Sequence, residues 1–305
     1  MKLTRRRLLQ CAAASAPALA LAPGWALAEL ALPGMTLTTL SDGYLQLPES
    51  FLTGDLPQEE LRAILDAAGV PPGRYTPPCN VTLLRRGADT VLFDAGAGPG
   101  FMQSAGQLPD ALDALGVAPE EITHVVFTHG HPDHLWGAVD DFDEPLFANA
   151  RHLMGRAERD YWRDPATLDS IGAERQSFAA GAARRLEILG SLLEVFDDGE
   201  EILPAVTARA SYGHTPGHMG FELGQGPGAD TAWIAGDAIG NAHVALARPE
   251  WPSAADQDPE TGAKTRVALL ERLAESGTAV IGFHLPEGGM GRISRADGGY
   301  RFTPL

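Results

Sequence analysis

The stretch FTHGHPDHLWG, Phe127 to Gly137, places three histidines and an aspartate within six residues, directly after the apolar run Val125-Val126-Phe127. Ionisable groups beside a buried strand are costly unless something pairs them. His129, His131, Asp133 and His134 offer imidazole nitrogens and one carboxylate, a donor set that suits borderline divalent metals such as zinc. Pro132 resists helix continuation, so the segment is expected to be a loop leaving a strand over 123–128, where the four side chains can converge.

One loop cannot close two coordination spheres, so further ligands are expected downstream at strand ends. GHTPGH supplies His214 at a turn enforced by Pro216 and Gly217, IAGDAIG supplies Asp237 after a buried run, and VIGFHLP supplies His284 after another. These seven residues, in this order, resemble the pattern of the metallo-β-lactamase superfamily. The resemblance implies an α/β fold, an αββα sandwich of two mixed sheets flanked by helices, with two Zn²⁺ ions at one edge; Mn, Fe or Co would also suit the donors. It assigns one ion to His129, His131 and His214 and the other to Asp133, His134 and His284, with Asp237 bridging. Asp94, in LFDAGAG, matches a position that orients the site without ligating. Two ions about 3.5–4 Å apart can share a water and bring its pKa toward neutrality, giving a bridging hydroxide as nucleophile. Asp133 is the candidate catalytic residue, orienting that hydroxide or carrying its proton.

Departures within the superfamily narrow the expectation. Its β-lactamases lack the aspartate that Asp237 would supply, its flavo-diiron members carry Glu where this chain has His131, and too few residues follow His284 for the C-terminal helical region of glyoxalase II. LSDGYLQLPESFLTG (40–54), RPEWPSAADQDPETGAKTR (248–266) and HLPEGGMGRI (284–293) resemble the exported methyl parathion hydrolase-like branch, which includes ester, lactone and phosphotriester hydrolases. An acyl-homoserine lactonase is the alternative within enzymes, although Ala238, Ile239 and Gly240 follow Asp237 where a tyrosine would have favoured it. A catalytically silent metal-binding protein is the alternative outside them, and retention of all seven positions argues against it.

A chain of 305 residues with 44% hydrophobic content and no Pro/Gly/Ser-rich linker is expected to form one domain over 29–305. Strand-like runs in VTLLRRGADTVLFDAG, ITHVVFTHG and DTAWIAGDA interleave with helical spacing in PQEELRAILDAAG, RRLEILGSLLEVF and TRVALLERLAES. Segment 29–79 is expected to form an N-terminal arm or lid, which by resemblance would also contribute to a homodimer interface. Residues 1–28 read as a signal peptide, with Arg5-Arg6 resembling a twin-arginine export signal, an apolar run from Leu8 to Leu21, and Ala26-Leu27-Ala28 as cleavage site. The twin-arginine machinery is then a partner, the location is periplasmic or secreted, and no membrane contact is expected after cleavage.

Formal net charge is −17, and removing Lys2 and Arg5–Arg7 makes the remainder more acidic still. Nucleic acid is therefore excluded as a partner, leaving a small-molecule substrate. Cys79 reads as a packing residue, and Asp256 and Asp258 as helix-capping groups before Pro259. His218 is expected to serve the turn behind the ligands. Of the other histidines, His243 is the best placed to touch substrate, while Trp136, Tyr161, Trp162 and Trp251 are expected to pack in the core or at a pocket rim.

Overall fold

Side chains alternate across a strand, so a run that is apolar on both sides must be covered on both faces. In the computed structural model, which describes residues 24–305 except 55, 227 and 229, this is what surrounds Val125-Val126-Phe127. Val125 and Phe127 enter a core shared with the helices Leu108–Ala114 and Gln176–Leu189, while Val126 faces the opposite way, into the space between two sheets.

The strands in chain order are β1 (Ala26–Leu32), β2 (Met35–Tyr44), β3 (Leu47–Pro48), β4 (Arg74–Tyr75), β5 (Pro78–Arg86), β6 (Asp89–Phe93), β7 (His124–Phe127), β8 (Arg151–Gly155), β9 (Leu193–Phe196), β10 (Glu201–Leu203), β11 (Val206–Ala210), β12 (Met219–Leu223), β13 (Ala232–Gly236), β14 (Ala279–Gly282), β15 (Met290–Ala296) and β16 (Gly299–Pro304). One seven-stranded sheet has the order β1-β2-β5-β6-β7-β8-β9 and the other runs β10 to β16 in sequence order, with β3 and β4 forming a separate pair. Both large sheets are mixed: β5 and β6 pair antiparallel, β6 to β9 are parallel, and β13 and β14 are the parallel pair of the second sheet. Ala232 and Ile234 face the first sheet, whereas Trp233 and Ala235 face the helix Pro259–Ser276, so each sheet buries one face on its partner and one under helices. This is the expected αββα sandwich.

Three local expectations need correction. RRLEILGSLLEVF is not one helix: Gly190 takes a φ of 47° that ends the helix, and Leu193–Phe196 becomes β9, paired parallel to β8. Residues 29–44 belong to the edge strands β1 and β2, and only the following stretch to Pro77 wraps the site end, with the helix Gln58–Ala67 burying Leu61 and Leu65 against Val244. Asp258 is a helix cap, accepting from Thr261 N, but Asp256 is not. Arg5-Arg6 and the run Leu8–Leu21 lie outside the described residues, and Ala26-Leu27-Ala28 opens β1, with Ala26 opposite Leu40 and Ala28 opposite Thr39. Among the described residues no helix is long and apolar enough to cross a membrane.

Asp42, fully buried at the end of β2, organises the loop that carries Phe101 and Met102 to the site. Its carboxylate accepts from the backbone N–H groups of Ala97, Gly106 and Leu108. Burial outweighs these three donors and pushes its pKa from 3.8 up to about 6. The folded chain then binds the Asp42 proton more tightly than the unfolded chain, so this residue's contribution to stability falls as pH rises from about 4 to about 6. Urea unfolding of the protein and of Asp42→Asn across that window is expected to show the falling slope only in the former; parallel slopes would refute it.

Candidate metal centre

Parallel neighbours end at the same edge of a sheet, so the residues following β6 and β7, and those following β13 and β14, emerge side by side. Asp94 follows β6, the His129–His134 segment follows β7, Asp237 follows β13, and His284 lies just past β14; His214 comes from the turn between β11 and β12. The expected loop after β7 contains a helical turn, Pro132–Leu135, with His131 extended as its cap. Proline at the first helical position explains the difference: its missing N–H would have had no partner there, and its fixed φ suits a helix start.

All seven sequence-derived residues meet. His129, His131 and His214 bring ligand atoms within 4.8 Å of one another, as do His129, His134 and Asp237, and also Cys79, Asp133 and His284. Asp237 stands between the sets: Oδ1 lies 3.2 Å from His134 Nε2, and Oδ2 lies 3.3 Å from His214 Nε2 and 3.2 Å from His284 Nε2. Asp133 Oδ2 is 3.3 Å from His284 Nε2. Yet His129 Nε2, His134 Nε2, Asp133 Oδ2 and Asp237 Oδ1 are buried without a hydrogen-bond partner. Buried nitrogen and carboxylate atoms left unpartnered around one space are unfavourable by themselves and are what a divalent cation would satisfy, so these residues fit a divalent-metal site.

Protonation tells the same story. Burial and the neighbouring imidazoles hold His129 and His131 well below the usual histidine range, ready to donate lone pairs. Burial also opposes charge on His134 and His284, but carboxylates overcome it: Asp237, Asp133 and Asp94 push His134 up to about 10, and Asp237 and Asp133 hold His284 well above 6.5. Asp237 stays well below the carboxylate range despite its burial, because His284 and His134 face it. Protons on two histidines thus balance the carboxylates where a cation could.

Behind these side chains lies a layer of buried partners. Asp94, with a φ of 67°, accepts from Thr128 N and meets His134 Nδ1 at 2.8 Å, orienting that ring as expected. His218 does serve the turn: Nδ1 meets Ser211 Oγ and Nε2 accepts from the backbone N–H of Asp237. Gly236 has no room for a Cβ, which would lie 2.7 Å from that Nε2. Two partners escaped the sequence reading. Glu158 accepts from Gly130 N and Trp162 Nε1 at one oxygen and from Thr215 Oγ1 and Gly217 N at the other, tying the His129–His131 and His214 loops together. Asp256, read as a helix cap, instead holds His214 Nδ1 at 3.1 Å and is itself held by buried Arg266. Cys79 was expected to pack, and it is fully buried, but its sulfur sits beside Asp133 and His284; burial pushes the thiol up to about 12.

The centre forms the floor of a cavity of about 280 Å³. Leu47, Phe51, Leu52, Phe101, Phe178 and Val244 give it mainly apolar walls, and Tyr75 donates its hydroxyl to Gly240 O at the side. Trp251 lines the cavity, while Trp162 is buried beneath it and Trp136 packs on Phe101. His243 does not line it: Nδ1 caps the helix Val244–Ala247 and the ring packs edge-on against Tyr75.

Known proteins share this arrangement of strands. AidC, a dizinc quorum-quenching lactonase, aligns with a TM-score of 0.85 at 22% identity, covering 92% of this chain and 98% of that one, a likeness that shows the fold. AbOPH, described as a hydrolase in the beta lactamase superfamily, aligns at 0.83 with 25% identity and the same coverage. The N-acyl homoserine lactonase AttM of Rhizobium johnstonii is 32% identical over 115 residues, 37% of this chain and 40% of that one. The chain spans about 60% of the length of the first curated relatives it matches. The profile of the metallo-beta-lactamase superfamily matches residues 74–283, more than two thirds of the sequence and from β4 to the residue before His284, so the chain belongs to that superfamily.

Proposed function

We propose that this protein is an exported hydrolase that holds two divalent ions, zinc foremost, and opens a small ester, lactone or phosphotriester bond. The observation that carries the reading is the set of buried side-chain atoms without a hydrogen-bond partner, on His129, Asp133, His134 and Asp237, at the floor of a mainly apolar cavity. His129, His131 and His214 would hold one ion, Asp133, His134 and His284 the other, and Asp237 both. When bound, the ions supply Lewis acidity and make a water reactive near neutral pH. Asp133 would take up the proton of the attacking water at its carboxylate and return it to the leaving oxygen. The apolar walls would hold the substrate's hydrocarbon part and exclude competing water.

Stretches 40–54, 248–266 and 284–293 support a place beside the methyl parathion hydrolase-like branch. Lactones are the favoured alternative to open-chain esters, because AttM and AidC carry lactonase in their names. The test is purified protein reconstituted with zinc and assayed against lactones, aryl esters and phosphotriesters, with metal content measured in parallel. Turnover of any of these with bound metal supports the reading. Two bound ions and no turnover on the panel would favour the silent metal-binding alternative.

Metal loading has its own pH signature. The carboxylates push His134 up to about 10 in the metal-free protein and hold His284 well above the usual histidine range, so an ion must displace both protons near neutral pH. Affinity measured against a competing chelator is expected to rise with pH through neutrality, with release of roughly two protons on loading. A pH-independent affinity would contradict this assignment.

A further inference from the structure

We infer that Arg175 binds a carboxylate carried by the substrate, so that the preferred ester or lactone has an apolar body and one anionic group; this rests on the hydrolase reading above. Three arginines line the cavity: Arg175, Arg248 and Arg266. Arg248 is paired with Glu60 and Arg266 with Asp256. Arg175 alone of the three has no carboxylate partner among the described residues. It donates through Nη2 to the carbonyls of Ala254 and Ala255, which leaves Nε and Nη1 without a protein acceptor.

Its place gives the charge a purpose. Arg175 immediately precedes the helix Gln176–Leu189 and lies three positions before Phe178, whose ring is 6.0 Å from that of His131. A guanidinium with no carboxylate partner among the described residues is thus about one helical turn along the chain from a side chain that packs against His131, in a cavity whose walls are mainly apolar. Most Lys and Arg side chains among the described residues are paired with a carboxylate, and Arg175 is not. A guanidinium presents a planar pair of donors that matches a carboxylate, and it does so more strongly where hydrocarbon excludes water. A substrate with its hydrocarbon on Leu47, Phe51 and Phe101 and a terminal carboxylate at Arg175 would use both kinds of wall.

The experiment compares two p-nitrophenyl esters of equal length, the mono-ester of adipic acid and the hexanoate ester, on zinc-loaded protein, Arg175→Gln and Arg175→Lys. The wild type is expected to favour the adipate ester by about tenfold in kcat/KM at low salt, mainly through KM, with the preference shrinking in 0.5 M salt. Arg175→Gln should bring the ratio of the two esters close to one, and Arg175→Lys should restore part of it. Equal slowing of both esters by Arg175→Gln would mean that the residue only holds the 254–255 carbonyls, and would overturn the inference, as would a wild type without preference. If neither ester is turned over, hydrolysis of open-chain esters is what has failed, and the hydrolase reading is decided by the lactones and phosphotriesters of the panel above. Calorimetric binding of monomethyl adipate against dimethyl adipate then decides the subsite separately: weaker binding of the monoanion to Arg175→Gln supports it, and equal binding to both proteins overturns it.

Discussion

Asp237→Ala is expected to lower kcat/KM by at least about 1000-fold, roughly 4 kcal/mol of transition-state stabilisation, and to leave less than two equivalents of metal bound. Asp237 is the one side chain whose oxygens stand beside His134, His214 and His284 together, so its loss damages both halves of the proposed centre. Its removal also takes away the charge that keeps His134 and His284 protonated in the metal-free protein. The truncation itself is small, and the backbone N–H of residue 237 keeps its bond to His218, so the fold is expected to survive. Metal analysis, circular dichroism and steady-state kinetics on one preparation separate these effects. His131→Ala should behave similarly, by loss of a donor from one set. Wild-type rates in either metal-replete variant would refute the assignment of the centre.

Glu158→Ala should be the most destabilising single change near the site, by about 4 kcal/mol or more. Four donors, Gly130 N, Trp162 Nε1, Thr215 Oγ1 and Gly217 N, would lose their acceptor in a region without solvent, each at a cost of about 1–3 kcal/mol, offset in part because a buried carboxylate is itself unfavourable. The backbones carrying two of these donors pack tightly here: a Cβ on Gly130 would strike Trp162 and one on Gly217 would strike the backbone of residue 158. Glu158→Gln keeps the shape but turns an NH₂ toward two donors, so it should retain only part of the stability. Both variants should also bind metal about 10–100-fold more weakly, since the two loops carrying His129, His131 and His214 would no longer be clamped together. Urea unfolding and chelator competition measure the two effects separately. If Glu158→Ala unfolds like the wild type, the clamp has no energetic role.

The seven residues of the centre were legible because each has a local sign. Four sit in one six-residue motif, and Asp237 and His284 follow apolar runs whose burial on both faces places their ends at a sheet edge. Glu158 had no such sign: in RAERDYWR it stands among charged neighbours, and only the packing of the helix Arg156–Arg163 against the 214–217 turn buries it together with Trp162. Asp256 likewise looked like Asp258, a carboxylate ahead of a helix, until Arg266 and His214 were seen to reach it from different segments.

Residue chemistry and periodicity determined, without any structure, the donors that suit a divalent ion and their places after buried strands, because those properties depend on neighbours a few positions away; the sandwich itself was implied by the resemblance that the seven residues carry. Tertiary structure alone decided where the helix ending at Gly190 gives way to β9, which buried carboxylates brace the histidines, and which arginine at the cavity wall has no carboxylate partner among the described residues. Those outcomes depend on which distant segments come to share a dry space, where an unpaired donor or charge costs far more than it would in water.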